Sequence, residues 1–268
     1  MTGSRKVALV TGASAGIGKA FAEQLAERDF DLVLTARRRD RLEAVASELV
    51  NLSKVRVEIV TGDLADPSTP AQLLAEIAAR DLAVDLLVNN AGYGIPVRFS
   101  QTTWQQQADF LQVLVTSVAQ LSHLCLPGML ERGYGRIVNI ASLAGLVPGA
   151  PGSTLYAAAK SFLIKMSESL AAELHGTGVT ATAVCPGFTY SEFHDVNQTR
   201  ERVSRMPSAL WMDATSVARE GLEGALAGEV VVVSGAINRA IATTMKHLPD
   251  GLGRRILRGQ ARRFRRVE

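Results

Sequence analysis

Tyr156 and Lys160 lie four residues apart in the stretch STLYAAAK at 153–160, and Ser142 stands fourteen residues before the tyrosine. A helix over 153–175 puts positions i and i+4 on one face, so the ammonium lies beside the phenol. A phenol with a pKa near ~10 is a poor acid–base catalyst at neutral pH. A neighbouring cation favours the phenolate and moves that pKa toward the working range. A serine hydroxyl close by could hydrogen-bond the oxygen of a reacting carbonyl. Taken alone, a Y-x-x-x-K spacing also fits an ordinary surface pair, so its meaning depends on what lies upstream.

The elements that must position these side chains follow from the apolar pattern. Short β-branched runs alternate with longer helical patterns, as in a parallel sheet covered on both faces. The pattern predicts strands at about 7–10, 31–35, 55–60, 84–88, 135–140, 179–184 and 229–233. Helices are expected at about 16–28, 38–51, 69–80, 102–130, 153–175 and 213–227, and again beyond 236 with interruptions at Pro249, Gly251 and Gly253. Seven strands joined by crossovers predict an α/β fold: a Rossmann-type, doubly wound parallel sheet with helices on both faces. Ligands of such folds bind beyond the carboxyl ends of the strands. No linker divides the chain, so residues 1–236 read as a single catalytic and cofactor-binding domain carrying a substrate lid at 191–212. Residues 237–268 read as a basic helical C-terminal extension.

The chemically suggestive stretches fall just after the expected strands. TGASAGIG at 11–18 leads from an apolar strand into an amphipathic helix. Gly12 permits the sharp turn, while Gly16 and Gly18 remove side chains where backbone must approach a pyrophosphate at a helix N-terminus. Ser14, Ala15 and Ile17 complete the same turn as candidate cofactor contacts. The second strand ends in Ala36 followed by Arg37, Arg38 and Arg39. Folds that bind NAD usually place a carboxylate there for the ribose 2′-hydroxyl, whereas a basic group accommodates the 2′-phosphate of NADP. Arg37 is the first candidate phosphate ligand; a solvated helix start is the bland alternative. After the third strand, Asp63 could accept from an adenine amino group, with Leu64 beside it, or could cap a turn before Asp66–Pro67. The fourth strand ends in NNAG at 89–92, a small polar segment that could serve as a turn alone.

These pieces in this order resemble the short-chain dehydrogenase/reductase family: TGxxxGxG at 11–18, NNAG at 89–92, Ser142, YxxxK at 156–160 and PG at 186–187, over roughly residues 5–235. In detail the chain looks most like NADP-preferring bacterial reductases. The resemblance implies that Tyr156 transfers the proton, Lys160 lowers its pKa and binds the nicotinamide ribose, and Ser142 positions the substrate oxygen, with the nicotinamide carrying the hydride. It also implies cofactor contacts at Asp63, Leu64, Asn90, Phe188, Thr189 and Ser191, and NADP(H) in preference to NAD(H). Ser153 and Ser161 flank the pair off the matching position and read as a helix cap and a packing residue. One departure stands out. The family's catalytic asparagine, in the long helix before the fifth strand, aligns with Leu114 in LVT at 114–116. That asparagine supports a local helix distortion and a water that relays protons to the lysine. Leucine keeps the main-chain carbonyl but cannot make the side-chain hydrogen bonds. The relay then either survives on different supports or is slowed or altered, and a cofactor-binding sensor or interaction protein with weak turnover is the alternative reading.

Composition narrows the rest. At 268 residues and 47% hydrophobic, the chain can bury a sizeable core. No unbroken apolar run reaches the ~18 residues of a spanning helix, and the N-terminal run is too short for a signal peptide. Cys125 and Cys185 have no metal spacing, which points to no metal, reduced thiols and a cytoplasmic protein. Net charge is +3, yet residues 246–268 hold eight Lys/Arg against Asp250 and Glu268, so the body is net negative. That tail fits a solvated helix, a peripheral membrane contact or an acyl-carrier contact; no recognition motif accompanies it, which argues against nucleic acid. The expected substrate walls are 93–96, 143–148, Phe188 and the 191–212 segment with Phe193, Met206, Leu210, Trp211 and Met212. They favour a small hydrophobic carbonyl or alcohol. Helices 102–130 and 153–175 match the family's dimer surfaces, implying a homodimer or homotetramer.

Overall fold

A computed structural model describes residues 5–95, 97–149, 154–190, 207–249 and 251–255. Seven parallel strands form one sheet in the order β3-β2-β1-β4-β5-β6-β9: β1 is Val7–Thr11, β2 Asp31–Thr35, β3 Val57–Ile59, β4 Val84–Asn89, β5 Gly135–Ile140, β6 Val179–Cys185 and β9 Val231–Val233. The order reverses between β1 and β4, which opens a crevice at their carboxyl ends. The expected doubly wound Rossmann-type sheet is thus the observed one.

Helices cover both faces: α1 (Gly16–Ala26), α2 (Arg39–Leu52), α3 (Thr69–Ala78), α4 (Trp104–Leu111), α5 (Ser117–Glu131), α6 (Thr154–Glu173), α7 (Ala214–Ala227) and α8 (Ala236–His247). Alternate residues of each central strand feed different cores. Ala8 and Val10 join Phe21, Leu25, Leu42 and Leu222 on one face. Val7 and Leu9 join Leu73, Phe110, Leu121 and Ile137 on the other. Both faces being buried is why β1 shows no polar alternation.

Two features differ from the expectation. The helix predicted over 102–130 is not continuous: a π-helical turn, Gln112–Thr116, separates α4 from α5. The combined run Trp104–Glu131 is long and apolar enough by length and composition to cross a bilayer, but α5 packs on α3, β4 and β5 as a core element. Second, the described end of the expected lid is not loop. β7 (Phe188–Tyr190) and β8 (Trp211–Asp213) pair in parallel as a separate two-stranded sheet, with Phe188 opposite Trp211. Ser153, Ser191, Phe193, Met206, Pro96 and the tail from 256 onward lie outside the described residues.

Candidate active site

The glycine turn is built by its neighbours. Gly12 and Gly16 have φ of 64° and 57°, in the left-handed region that favours glycine. A Cβ on Gly18 would lie 2.4 Å from both the Asn90 amide nitrogen and the Gly12 carbonyl oxygen. The cause is Asn90, whose Nδ2 donates to the carbonyls of Thr11 (2.9 Å) and Gly12 (3.2 Å). The Thr11 hydroxyl accepts from the amides of Asn90 (2.9 Å) and Ala91 (3.0 Å) and donates to the Val88 carbonyl (3.2 Å). Asn90 therefore spends its side-chain amide holding the turn to the end of β4. The turn delivers the N-terminus of α1, whose N-cap Ala15 supplies no side-chain cap. Unsatisfied first-turn amides, with glycine rather than side chain above them, fit the pyrophosphate of a dinucleotide.

At the end of β2, Arg37 is exposed, with Nη1 3.9 Å from Asp63 Oδ2. Arg38, not singled out from sequence, donates to Ser14 Oγ at 3.3 Å. The Arg38 guanidinium thus reaches the glycine turn, while that of Arg37 lies toward Asp63. Asp63 also caps a turn, with Oδ1 accepting from the Ala65 amide at 3.0 Å. The turn-capping reading of this residue is the one with a bond behind it. Leu64 is buried in the core, and its carbonyl accepts from the Ser117 hydroxyl at 2.9 Å.

Helix α6 carries Tyr156 and Lys160. Lys160 is only 6% exposed, and its Nζ donates to the Ile140 carbonyl at 2.6 Å while lying 5.7 Å from the centre of the Tyr156 ring. Burial lowers the Lys160 pKa to about 8, against a smaller opposing effect from Cys185. Burial also pushes the Cys185 thiol up to about 12, which leaves it an inert neighbour. The carbonyl that holds Lys160 is itself well braced. Asn139, next to Ile140, accepts from Asn89 Nδ2 (2.9 Å) and donates to Ser167 of α6 (2.9 Å), and Asn89 also donates to Ser122 of α5 (3.2 Å).

Ser142 follows β5 in extended backbone, and its Oγ accepts from the Ala144 amide at 3.1 Å. The short 3-10 turn it opens, Leu143–Gly145, lies directly on α6. A Cβ on Gly145 would sit 2.7 Å from the Lys160 carbonyl carbon, and Ser161 Oγ donates to the Gly145 carbonyl at 2.7 Å. Ser161, expected only to pack, is the tether between the Ser142 turn and the helix of Tyr156. A shallow, open recess leads to Tyr156 and is walled mainly by apolar side chains, among them Ile95, Val97, Phe110 and Leu155. Phe188 and Thr189 are in β7. Thr189 is buried and bonds to the Gly187 carbonyl at 3.2 Å, and Phe188 packs against Trp211 with ring centres 5.5 Å apart.

The π turn centres on Leu114. It forms without an asparagine because Gln112 Nε2 donates across it to Ser117 Oγ at 3.1 Å, while Ser117 is anchored to Leu64. Leu114 itself is 1% exposed and faces Gly92, where an added Cβ would meet its Cγ at 3.6 Å. Leu114 contributes no side-chain bond, and the bridge runs instead from Gln112, the first residue of the turn, to Ser117 just after it, the kind of different support that the sequence left open.

Comparison with known proteins bears on the family and the fold. The family model described as short chain dehydrogenase matches residues 6–202. The chain is 34% identical over 220 residues to a 3-oxoacyl-(acyl-carrier-protein) reductase of Haemophilus influenzae, covering 80% of this chain and 88% of that protein. It is also 34% identical over 218 residues to sulfoacetaldehyde reductase 2 of Chromohalobacter salexigens, covering 80% and 84%. Among solved structures, a short-chain dehydrogenase from Sphingobium yanoikuyae in complex with NADPH superposes with a TM-score of 0.78 at 31% identity, covering 91% of this chain and 96% of that one. A short-chain dehydrogenase/reductase from Burkholderia phymatum in complex with NAD gives 0.80 at 26% identity, covering 90% and 92%.

Proposed function

The chain belongs to the short-chain dehydrogenase family, oxidoreductases acting on CH–OH and C=O groups, and from that premise we propose that it interconverts a hydrophobic ketone or aldehyde with its alcohol using NADP(H). The nicotinamide, when bound, supplies or accepts the hydride. Tyr156 gives the proton to the carbonyl oxygen or takes it from the alcohol. Lys160 stands beside the ring as the cation that favours the phenolate and as a donor toward the nicotinamide ribose. Ser142 steadies the substrate oxygen. The first turn of α1 and the glycine turn take the pyrophosphate, and Thr189 borders the nicotinamide end.

The observation that carries this reading is the buried Lys160 ammonium, fixed by the Ile140 carbonyl beside the Tyr156 ring at an apolar recess. The preference for NADP(H) is supported by Arg37 and Arg38 where Ala36 leaves no carboxylate. The test is steady-state kinetics on a panel of ketones, aldehydes and alcohols with both cofactors in both redox states. Turnover with NADPH at least ten-fold more efficient than with NADH is expected. Equal use of both cofactors would overturn the preference, and no turnover of any carbonyl or alcohol would overturn the activity.

A further inference from the structure

Among the described residues, one polar side chain other than Tyr156 lines the recess. Gln107, on α4, is only 5% exposed and lines the same recess as Tyr156 among Ile95, Val97, Phe110 and Leu155. A buried amide among apolar walls carries a desolvation cost unless both its ends are paired.

The hydrogen bonds decide which way the amide points. The Thr102 hydroxyl has a single proton, and it donates to the Phe99 carbonyl at 2.7 Å. Thr102 Oγ1 can therefore only accept from Gln107, which it does from Nε2 at 2.7 Å. Thr102 thus resolves the amide flip that geometry alone leaves ambiguous. One of the two amide protons is spent on Thr102, which leaves Oε1 as the acceptor end, with no hydrogen bond to it among the described residues.

We propose that Gln107 is a specificity residue, whose Oε1 accepts a hydrogen bond from a hydroxyl or N–H carried by the substrate away from the reacting carbonyl. This deepens the functional reading above and rests on its assignment of the recess to substrate. The substrate class is a ketone or secondary alcohol with an apolar body and one hydrogen-bond donor remote from the reacting carbon. A fully apolar ligand would strip water from Oε1 and leave it unpaired, the circumstance in which a site discriminates most strongly.

The test uses two ketones that differ by one hydroxyl, 4-phenyl-2-butanone and 4-(4-hydroxyphenyl)-2-butanone. Their dissociation constants are measured by calorimetry on the full chain saturated with NADP⁺. The wild type should bind the hydroxylated ketone about ten-fold tighter or more. Gln107→Met, apolar and of similar shape, should bring the ratio to near one. Thr102→Val, which frees the amide to turn, should cut the preference at least three-fold and serves if Gln107→Met fails to fold. A wild type without preference would overturn the proposal, as would either folded variant keeping the full preference. Because the measurement is binding, absence of turnover would count against the proposed reaction alone, and the affinity ratio still judges Gln107.

Discussion

At the scale of single residues, Lys160 holds a position that stability alone does not favour. Its pKa, lowered from 10.5 to about 8 by burial, means that the unfolded chain binds its proton more tightly than the folded one. The penalty is fully present below pH 8 and is relieved as pH rises from about 8 to 10.5, so stability from this group increases across that window. A shift of that size corresponds to roughly 3 kcal/mol, offset by about 1 kcal/mol for the bond to Ile140. Lys160→Met should therefore raise the urea unfolding free energy of the cofactor-free protein by about 2 kcal/mol at pH 7. The gain should shrink toward pH 10, and activity should be lost. A variant less stable than wild type at pH 7 would contradict this. Tyr156→Phe tests the neighbouring group: turnover should fall by ~10²-fold or more while NADPH titration shows unchanged affinity. Full turnover in that variant would remove the phenol from the chemistry.

At the scale of elements, the site depends on how closely the Ser142 turn sits on α6. Gly145→Ala places a methyl 2.7 Å from the Lys160 backbone, which cannot yield as a side chain end would. The turn must lift, and turnover should fall on the order of 10²-fold with little change in cofactor affinity. The π turn offers a second check. Ser117→Ala removes the bridge from Gln112 and the bond to Leu64, and should cost about 1–3 kcal/mol by chemical denaturation. Leu114→Asn, by contrast, should leave the pH profile of turnover unchanged, because the distortion is already braced. A shifted profile would show that Leu114 limits the proton relay. The seven-stranded sheet and the order of the glycine turn, NNAG, Ser142 and YxxxK were legible in the sequence, because each strand is a short apolar run closed by a turn signal. The π turn was not. Gln112, Leu114 and Ser117 keep the helical pattern unbroken, and only a side-chain bond spanning five residues marks the change. β7 and β8 were missed because three residues each, rich in aromatics, show no period. Asn90 was visible as a polar residue at the right place, but its bonds to Thr11 and Gly12 depend on two strands distant in sequence meeting side by side.

At the scale of the whole molecule, cofactor binding should couple the two halves of the sheet, since the candidate contacts come from β1 and β2 on one side and from β5, α6 and β7 on the other. NADPH at about 100 times its dissociation constant adds about 2.7 kcal/mol to stability, a rise in melting temperature of roughly 5–10 °C for a chain of this size. NADH at equal concentration should give a smaller rise, and Arg37→Ala should narrow the gap. Equal rises for both cofactors in the wild type would argue against the part given to Arg37. The clasp of β7 on β8 has a consequence for how such a protein changes over generations. Phe188, Trp211 and Tyr190 pack together across it, with the Tyr190 and Trp211 rings stacked 4.6 Å apart, so residues 190 and 211 are held near one another. Doubling the length of a closed loop costs only about 0.6 kcal/mol. A change in the number of residues between 190 and 211 should therefore cost little so long as the clasp holds, and should leave Tyr156 and Lys160 on α6 where they are.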